Sequence, residues 1–178
     1  ATLGVSSTAG TLVGDNMKSN APELVWRAVN KQPTITLTWE TPQKAECVAI
    51  AWTNLSATAQ VTFRLFTNPL DVTAAQTKTI TAGATGIGCV YSAFFATSST
   101  ARKVTIYIND PNNTAEVQVG RVISGPVFKT SRQARPGASL SLTDRSSVSR
   151  AESGTLRVET KGAHRTLTAQ FDMMDPTE

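Results

Sequence analysis

The sequence predicts an all-β fold, and three features carry the prediction. Apolar residues recur at every second position through several short runs, the period of a strand with one face on a core. Ser and Thr are plentiful while charged residues make up only 17%, so the outward strand positions carry hydroxyls. Gly, Pro and Asn clusters separate the runs. At 178 residues and 40% hydrophobic content, the chain can bury a core in one domain and still carry a sizeable appendage.

Residues 102–128 are the expected centre. Val104, Ile106 and Ile108 alternate with Thr105 and Tyr107. Residues 109–113, AsnAspProAsnAsn, then turn the chain, because Pro111 fixes φ and the flanking side chains bond their own backbone. Val117, Val119, Val122 and Ile123 resume, and Gly120 interrupts where a side chain would obstruct a neighbour or where a bulge is needed. This reads as a long central hairpin of a β-sandwich.

The other elements follow in order. Residues 1–23 lack a sustained period and read as an irregular lead-in. Residues 34–40, ThrIleThrLeuThrTrpGlu, form a strand that ends at the turn ThrProGln, 41–43. Residues 47–52 are almost continuously apolar, which marks a strand covered on both faces. Val61, Phe63 and Leu65 alternate with Thr62 and Arg64 in a clean strand over 60–66. Residues 67–88 read as a surface excursion. Their glycines, Gly83 to Gly88, are not followed by a helix or by GlyLysThr, so a phosphate cradle is not expected. Residues 89–96 fit a strand or a short buried segment.

After residue 128 the texture changes, and two domains are expected: a sandwich over 1–128 and a β extension over 129–178. Leu140 with Leu142, Leu156 with Val158, and Leu167 with Ala169 and Phe171 suggest three short strands, with Met173 as a continuation. The polar stretch after the first of them reads as a loop, and Gly162 as a hairpin turn between the second and third. So thin a sheet needs a cover, from the sandwich or from a neighbouring subunit.

Several function classes are disfavoured. A net charge of +4 carried by scattered cations does not make the basic stripe that nucleic acid requires. No apolar run approaches the roughly 18 residues of a membrane span, and the first residues lack the basic start and apolar centre of a signal peptide. Cys47 and Cys89 read as buried reduced thiols, with a disulfide between them as the alternative for an exported protein. With one histidine, His164, beside a turn and no GxSxG, a nucleophilic triad has little support. Asp172 and Asp175 sit at the frayed end rather than forming a carboxylate pair for sugar hydrolysis. Asp15 and Asn16 could donate oxygens to calcium, against the plainer reading of turn residues. Neither an enzyme nor a bound metal or cofactor is expected.

A set of short motifs in order suggests a family. Val25-Trp26-Arg27, a ThrIleThrLeu strand, ValAlaIleAlaTrpThrAsnLeuSer at 48–56, ValThrPheArgLeuPhe, ArgLysValThrIleTyrIleAsnAsp and GlyArgValIleSerGlyProValPhe together resemble a galactose-binding-like (discoidin-type) β-sandwich. More closely, they resemble the version in tailed-phage and prophage structural proteins. The resemblance covers about residues 20–128 and implies a jelly-roll sandwich in a virion tail, at the tail tip, baseplate or a fibre, assembled in the host cytoplasm. It implies other tail proteins as partners, in a homo-oligomer or symmetric assembly. The alternative is a carbohydrate-binding module of the same particle, recognising a host surface glycan. Trp26, Arg27, Trp52 and Asn54 align best with the pattern and are the candidate ligand-binding residues. For Trp26, a core or rim plug is the competing reading, and Trp52 and Asn54 have a structural one.

Overall fold

The computed structural model describes residues 1–19, 21, 23–83, 88–96 and 99–127, together with 139–143, 147–150, 156–159 and 164–168. The chain divides into two compact units, Ala1–Val127 and Phe128–Glu178.

In the first unit, five strands make one sheet. They are β1 (Thr2–Val5), β3 (Thr34–Lys44), β5 (Gln60–Phe66), β6 (Gln76–Thr81) and β8 (Thr100–Asn109), in the order β1-β3-β8-β5-β6. A three-stranded sheet, β10-β4-β7, is built from β4 (Cys47–Thr53), β7 (Cys89–Phe94) and β10 (Arg121–Gly125). A two-stranded ribbon pairs β2 (Trp26–Arg27) with β9 (Gln118–Val119). Every pairing is antiparallel.

Period-two patterning puts the core between the two sheets. Ile35, Val61, Phe63, Leu65, Val104, Ile106 and Ile108 from the larger sheet are buried in one cluster with Val48, Ile50, Tyr91 and Ala93 from the smaller. Trp26, Met17, Val117 and Val119 complete it. A fully buried aliphatic or aromatic side chain contributes roughly 1.5–3 kcal/mol, so this single cluster is what holds the sheets face to face.

Several sequence expectations are corrected. The central stretch is not a hairpin: β8 pairs with β3 and β5, whereas β9 pairs with β2 and β10 with β4. The turn at 110–113 therefore carries the chain from one sheet to the other, and its two apolar faces meet across the core instead of side by side. The lead-in contributes the edge strand β1 and a 3-10 turn, Gly14–Lys18. The expected turn at 41–43 lies inside β3, which runs on to Lys44 with a register shift against β8 between Thr38 and Gln43. The excursion at 67–88 contains β6, most of whose side chains are exposed.

Gly120 stands where a side chain cannot. A Cβ there would lie 2.8 Å from Trp52 Cβ, and Trp52 itself adopts φ 55°.

Among the described residues, the second unit holds four strands where three were expected. β11 (Ser139–Thr143) pairs with β14 (His164–Thr168), and β12 (Ser147–Arg150) with β13 (Leu156–Glu159). Part of the stretch read as a polar loop is thus strand β12. The second and third expected strands, β13 and β14, are not partners. Gly162, Ala169, Phe171 and Met173 lie outside the described residues.

Candidate functional site

The four residues singled out in the sequence come together, but around the chain itself. Trp26 is 0% exposed, and its indole Nε1 donates to the Ser7 carbonyl at 2.9 Å, so neither face is open to a ligand. It pairs with Val119 while Arg27 pairs with Gln118, and Arg27 Nε donates to Gln118 Oε1 at 3.2 Å. Trp52 packs against Gly120. Asn54 Nδ2 donates to the Glu116 carbonyl at 2.8 Å, and its Oδ1 accepts from Gln118 N–H at 2.8 Å. All four grip residues 116–120. They stitch the segment between the sheets to β2 and to the end of β4.

Beside them lies a polar cluster that explains two of the motifs. Asp110 is 0% exposed, and its carboxylate accepts from the Ser56 N–H at 2.9 Å, the Ser56 hydroxyl and Asn113 Nδ2 at 3.0 Å. Asn113 Nδ2 also reaches the Asn54 carbonyl at 3.1 Å, and Lys31 Nζ donates to the Asn113 carbonyl. AsnLeuSer at 54–56 and AsnAspProAsnAsn at 109–113 are two halves of one clamp. A buried carboxylate held by three donors is fully employed in structure.

The remaining chemical candidates do not assemble. Asp15 forms an ion pair with Lys18 at 2.7 Å, and Asn16 Nδ2 donates to the Val25 carbonyl at 2.8 Å. Among the described residues, no group of three or more metal-ligating side chains lies together. Cys47 and Cys89 are free thiols. They face Phe94 and Thr53 at opposite ends of the β4–β7 pair, roughly 20 Å apart on strand rise and beyond the reach of a disulfide. Burial pushes the Cys47 thiol above its usual range. The side chains of His164, Asp172 and Asp175 lie outside the described residues.

A site of different character occupies the outer face of the five-stranded sheet. Register sets it out in rows. Thr34, Tyr107 and Thr62 stand opposite one another, then Thr36, Thr105 and Arg64, then Thr38, Lys103 and Phe66. Directly opposed residues share a face, and the inward partners of these rows fill the core, so this face of the sheet turns to solvent, with Phe66 buried beneath Lys103. An open groove of about 490 Å³ on this face is lined by Thr34, Arg64, Lys103, Thr105 and Tyr107 and walled by Asp71 and Val72.

The end wall is preorganised. Asp71 accepts from the Thr67 hydroxyl at 3.1 Å and from Asn68 N–H at 3.0 Å, closing the loop between β5 and β6. Lys103 Nζ donates to the Pro69 and Asp71 carbonyls at 2.6 and 2.7 Å and lies 4.2 Å from the Phe66 ring centroid. Lys103 is thus a brace for the wall. The side chain of Arg64 is exposed, and its guanidinium makes no hydrogen bond to another described residue. The groove offers an aromatic ring, hydroxyls on either side and one disengaged guanidinium. The sequence showed Thr105, Tyr107 and Arg64 as outward positions, but their convergence depends on β8 lying between β3 and β5, which alternation does not reveal.

No protein-family model matches the chain. No curated protein matches it either. Solved structures do. The CBM32 of AlyQ in complex with 4,5-unsaturated mannuronic acid is 20% identical, with a TM-score of 0.50 over 68% of this chain and 91% of that one. Chitosan-binding module 2 in complex with chitotriose, from the chitosanase/glucanase of Paenibacillus sp. IK-5, is 19% identical, with a TM-score of 0.54 over 70% and 95%. Reduced XRCC1 bound to the DNA polymerase β catalytic domain is 16% identical, with a TM-score of 0.53 over 70% and 94%. The tail-protein part of the resemblance finds no support in these comparisons. At such identity the likeness speaks to architecture, since one fold hosts many functions: the sandwich of this chain has the galactose-binding-like β-sandwich fold.

Proposed function

We propose that the sandwich is a non-catalytic glycan-recognition module that holds sugar on the outer face of its five-stranded sheet. One observation carries the reading: Tyr107 stands between Thr34 and Thr62, with Thr105 and the disengaged Arg64 in the next row, over an open groove. A pyranose presents an apolar face that stacks on an aromatic ring and a rim of hydroxyls that need directional partners. Threonine hydroxyls and a guanidinium supply those partners. The ligands of two similar structures, a 4,5-unsaturated mannuronic acid and chitotriose, support the class.

The test is a glycan array probed with the full chain, followed by titration of the best binder. Tyr107→Ala and Arg64→Ala are each expected to weaken binding about tenfold, the size of a stacking or charged hydrogen-bond loss, with unfolding temperature unchanged. Silence across bacterial, fungal and plant polysaccharides, or full binding by Tyr107→Ala, would contradict the reading.

A second reading, packing against other proteins of a phage tail, rests on a separate observation. On the three-stranded sheet Val90, Phe94 and Ile123 are exposed, and Ile123 and Phe94 lie opposite Ala49 and Cys47 of β4. An apolar sheet face of this kind favours a protein neighbour, and XRCC1 was solved bound to another protein. Here the expected result is that the chain co-purifies with phage particles and that Phe94→Glu blocks its incorporation. Absence from particles would sink it.

A further inference from the structure

We infer that the ligand is a polymer chain lying along the sheet, with a second subsite around Trp39, rather than a terminal sugar held at one point. This rests on the glycan reading above and concerns what kind of glycan the face accepts.

The argument begins with the bulge in β3. Register with β8 is regular up to Thr38 opposite Lys103 and resumes at Gln43 opposite Ala101. Residues 39–42 of β3 therefore stand against the single residue Arg102 of β8. An insertion of this size bends the strand and re-aims its side chains. Trp39 is left half-buried between two cavities. On one side is a polar groove of about 310 Å³ that includes Thr2, Thr38, Glu40, Thr41 and Gln43. On the other is a cleft of about 240 Å³ walled by Leu3, Leu37 and Val122, with Lys18 at its lining. One indole thus borders both cavities, with hydrogen-bonding groups beside it.

Continuity comes from the same register. Thr38 lines the Trp39 groove, and its direct partner Lys103 lines the Tyr107 groove, so one pair of neighbouring residues separates the two depressions. Tyr107 stands opposite Thr34, five positions before Trp39, which is roughly 17 Å at strand rise. Thr36 and Thr105 face each other along the way. A monosaccharide reaches one aromatic only. A chain laid along the strands reaches both, and linked subsites raise affinity without any new kind of contact.

The experiment is a titration of the full chain with mono- to hexasaccharide fragments of bacterial, fungal and plant polysaccharides. Affinity is expected to rise at least tenfold from disaccharide to hexasaccharide in one of these series. Trp39→Ala should abolish that gain while leaving disaccharide affinity unchanged, whereas Tyr107→Ala should weaken every length. Trp39 packs partly on the core, so Gln43→Ala, at an exposed position of the same subsite, gives a fold-neutral check and should reduce the gain too. Tyr107-dependent binding with no dependence on length, or a length gain untouched by both Trp39→Ala and Gln43→Ala, would overturn this inference and leave glycan recognition standing. No binding by any fragment would remove both.

Discussion

Three residues, Asp110, Gly120 and Tyr91, each test the account on their own. Asp110 serves three donors without solvent exposure. Asp110→Ala removes the acceptor of the Ser56 N–H, while Asn113 Nδ2 and the Ser56 hydroxyl keep Asn54 and Thr58 as partners, and is expected to cost about 1–3 kcal/mol in denaturant unfolding. At Gly120, alanine would drive its Cβ to 2.8 Å from Trp52 Cβ, which lies next to the backbone and cannot swing away. Gly120→Ala should therefore destabilise by about 1–3 kcal/mol, the usual cost of overpacking. Tyr91 supplies a pH dependence. Burial first, then the hydrogen bond and charge of Cys89, push its phenol from 10.0 up to about 12, with a Thr53 hydrogen bond opposing. The folded state prefers the neutral phenol, so this contribution is whole below pH 10 and is lost as pH rises towards 12. In Tyr107→Phe, Tyr91 is the sole tyrosine, and its absorbance titration should rise only near pH 12. A midpoint at the ordinary value would contradict its placement. Much of this was legible as local chemistry: AsnLeuSer and AsnAspPro are turn formers by composition. Their mutual capture was not, because it joins residues 54 apart in sequence.

Strands differ in how plainly they announce themselves. β5 and the apolar part of β8 were readable because each alternates against a core on one face. β6 was missed since an edge strand of Gln, Thr and Lys exposes most of its side chains, and only Gln76 and Ile80 are half-buried. β1 is four residues long, too short for a period to show. The hairpin expected at 102–128 failed for another reason. Alternation tells which face is buried but not which strand lies alongside, and here the chain crosses between sheets. The loop between β5 and β6 carries the element-scale prediction. Lys103 ties it through two carbonyls, so Lys103→Ala should speed amide exchange across residues 67–75 and weaken glycan binding indirectly. Unchanged exchange there would show that the loop holds its shape without the lysine.

For the whole molecule, the sandwich was legible because its core is a single cluster fed by alternating strands. The site was not. The residues aligned with a family pattern, Trp26, Arg27, Trp52 and Asn54, hold residues 116–120 in place, while the open groove is made by Thr, Tyr and Arg positions that look like ordinary strand exteriors. A motif of aromatics and amides in loops marks what must be anchored as readily as what must bind. The most direct test of the central claim is a backbone amide NMR titration of the full chain with a bound oligosaccharide from the array. Shifts are predicted to concentrate at Thr34, Arg64, Thr105 and Tyr107. Shifts confined to the clamp around Asn54 and Asn113, with the sheet face silent, would contradict it.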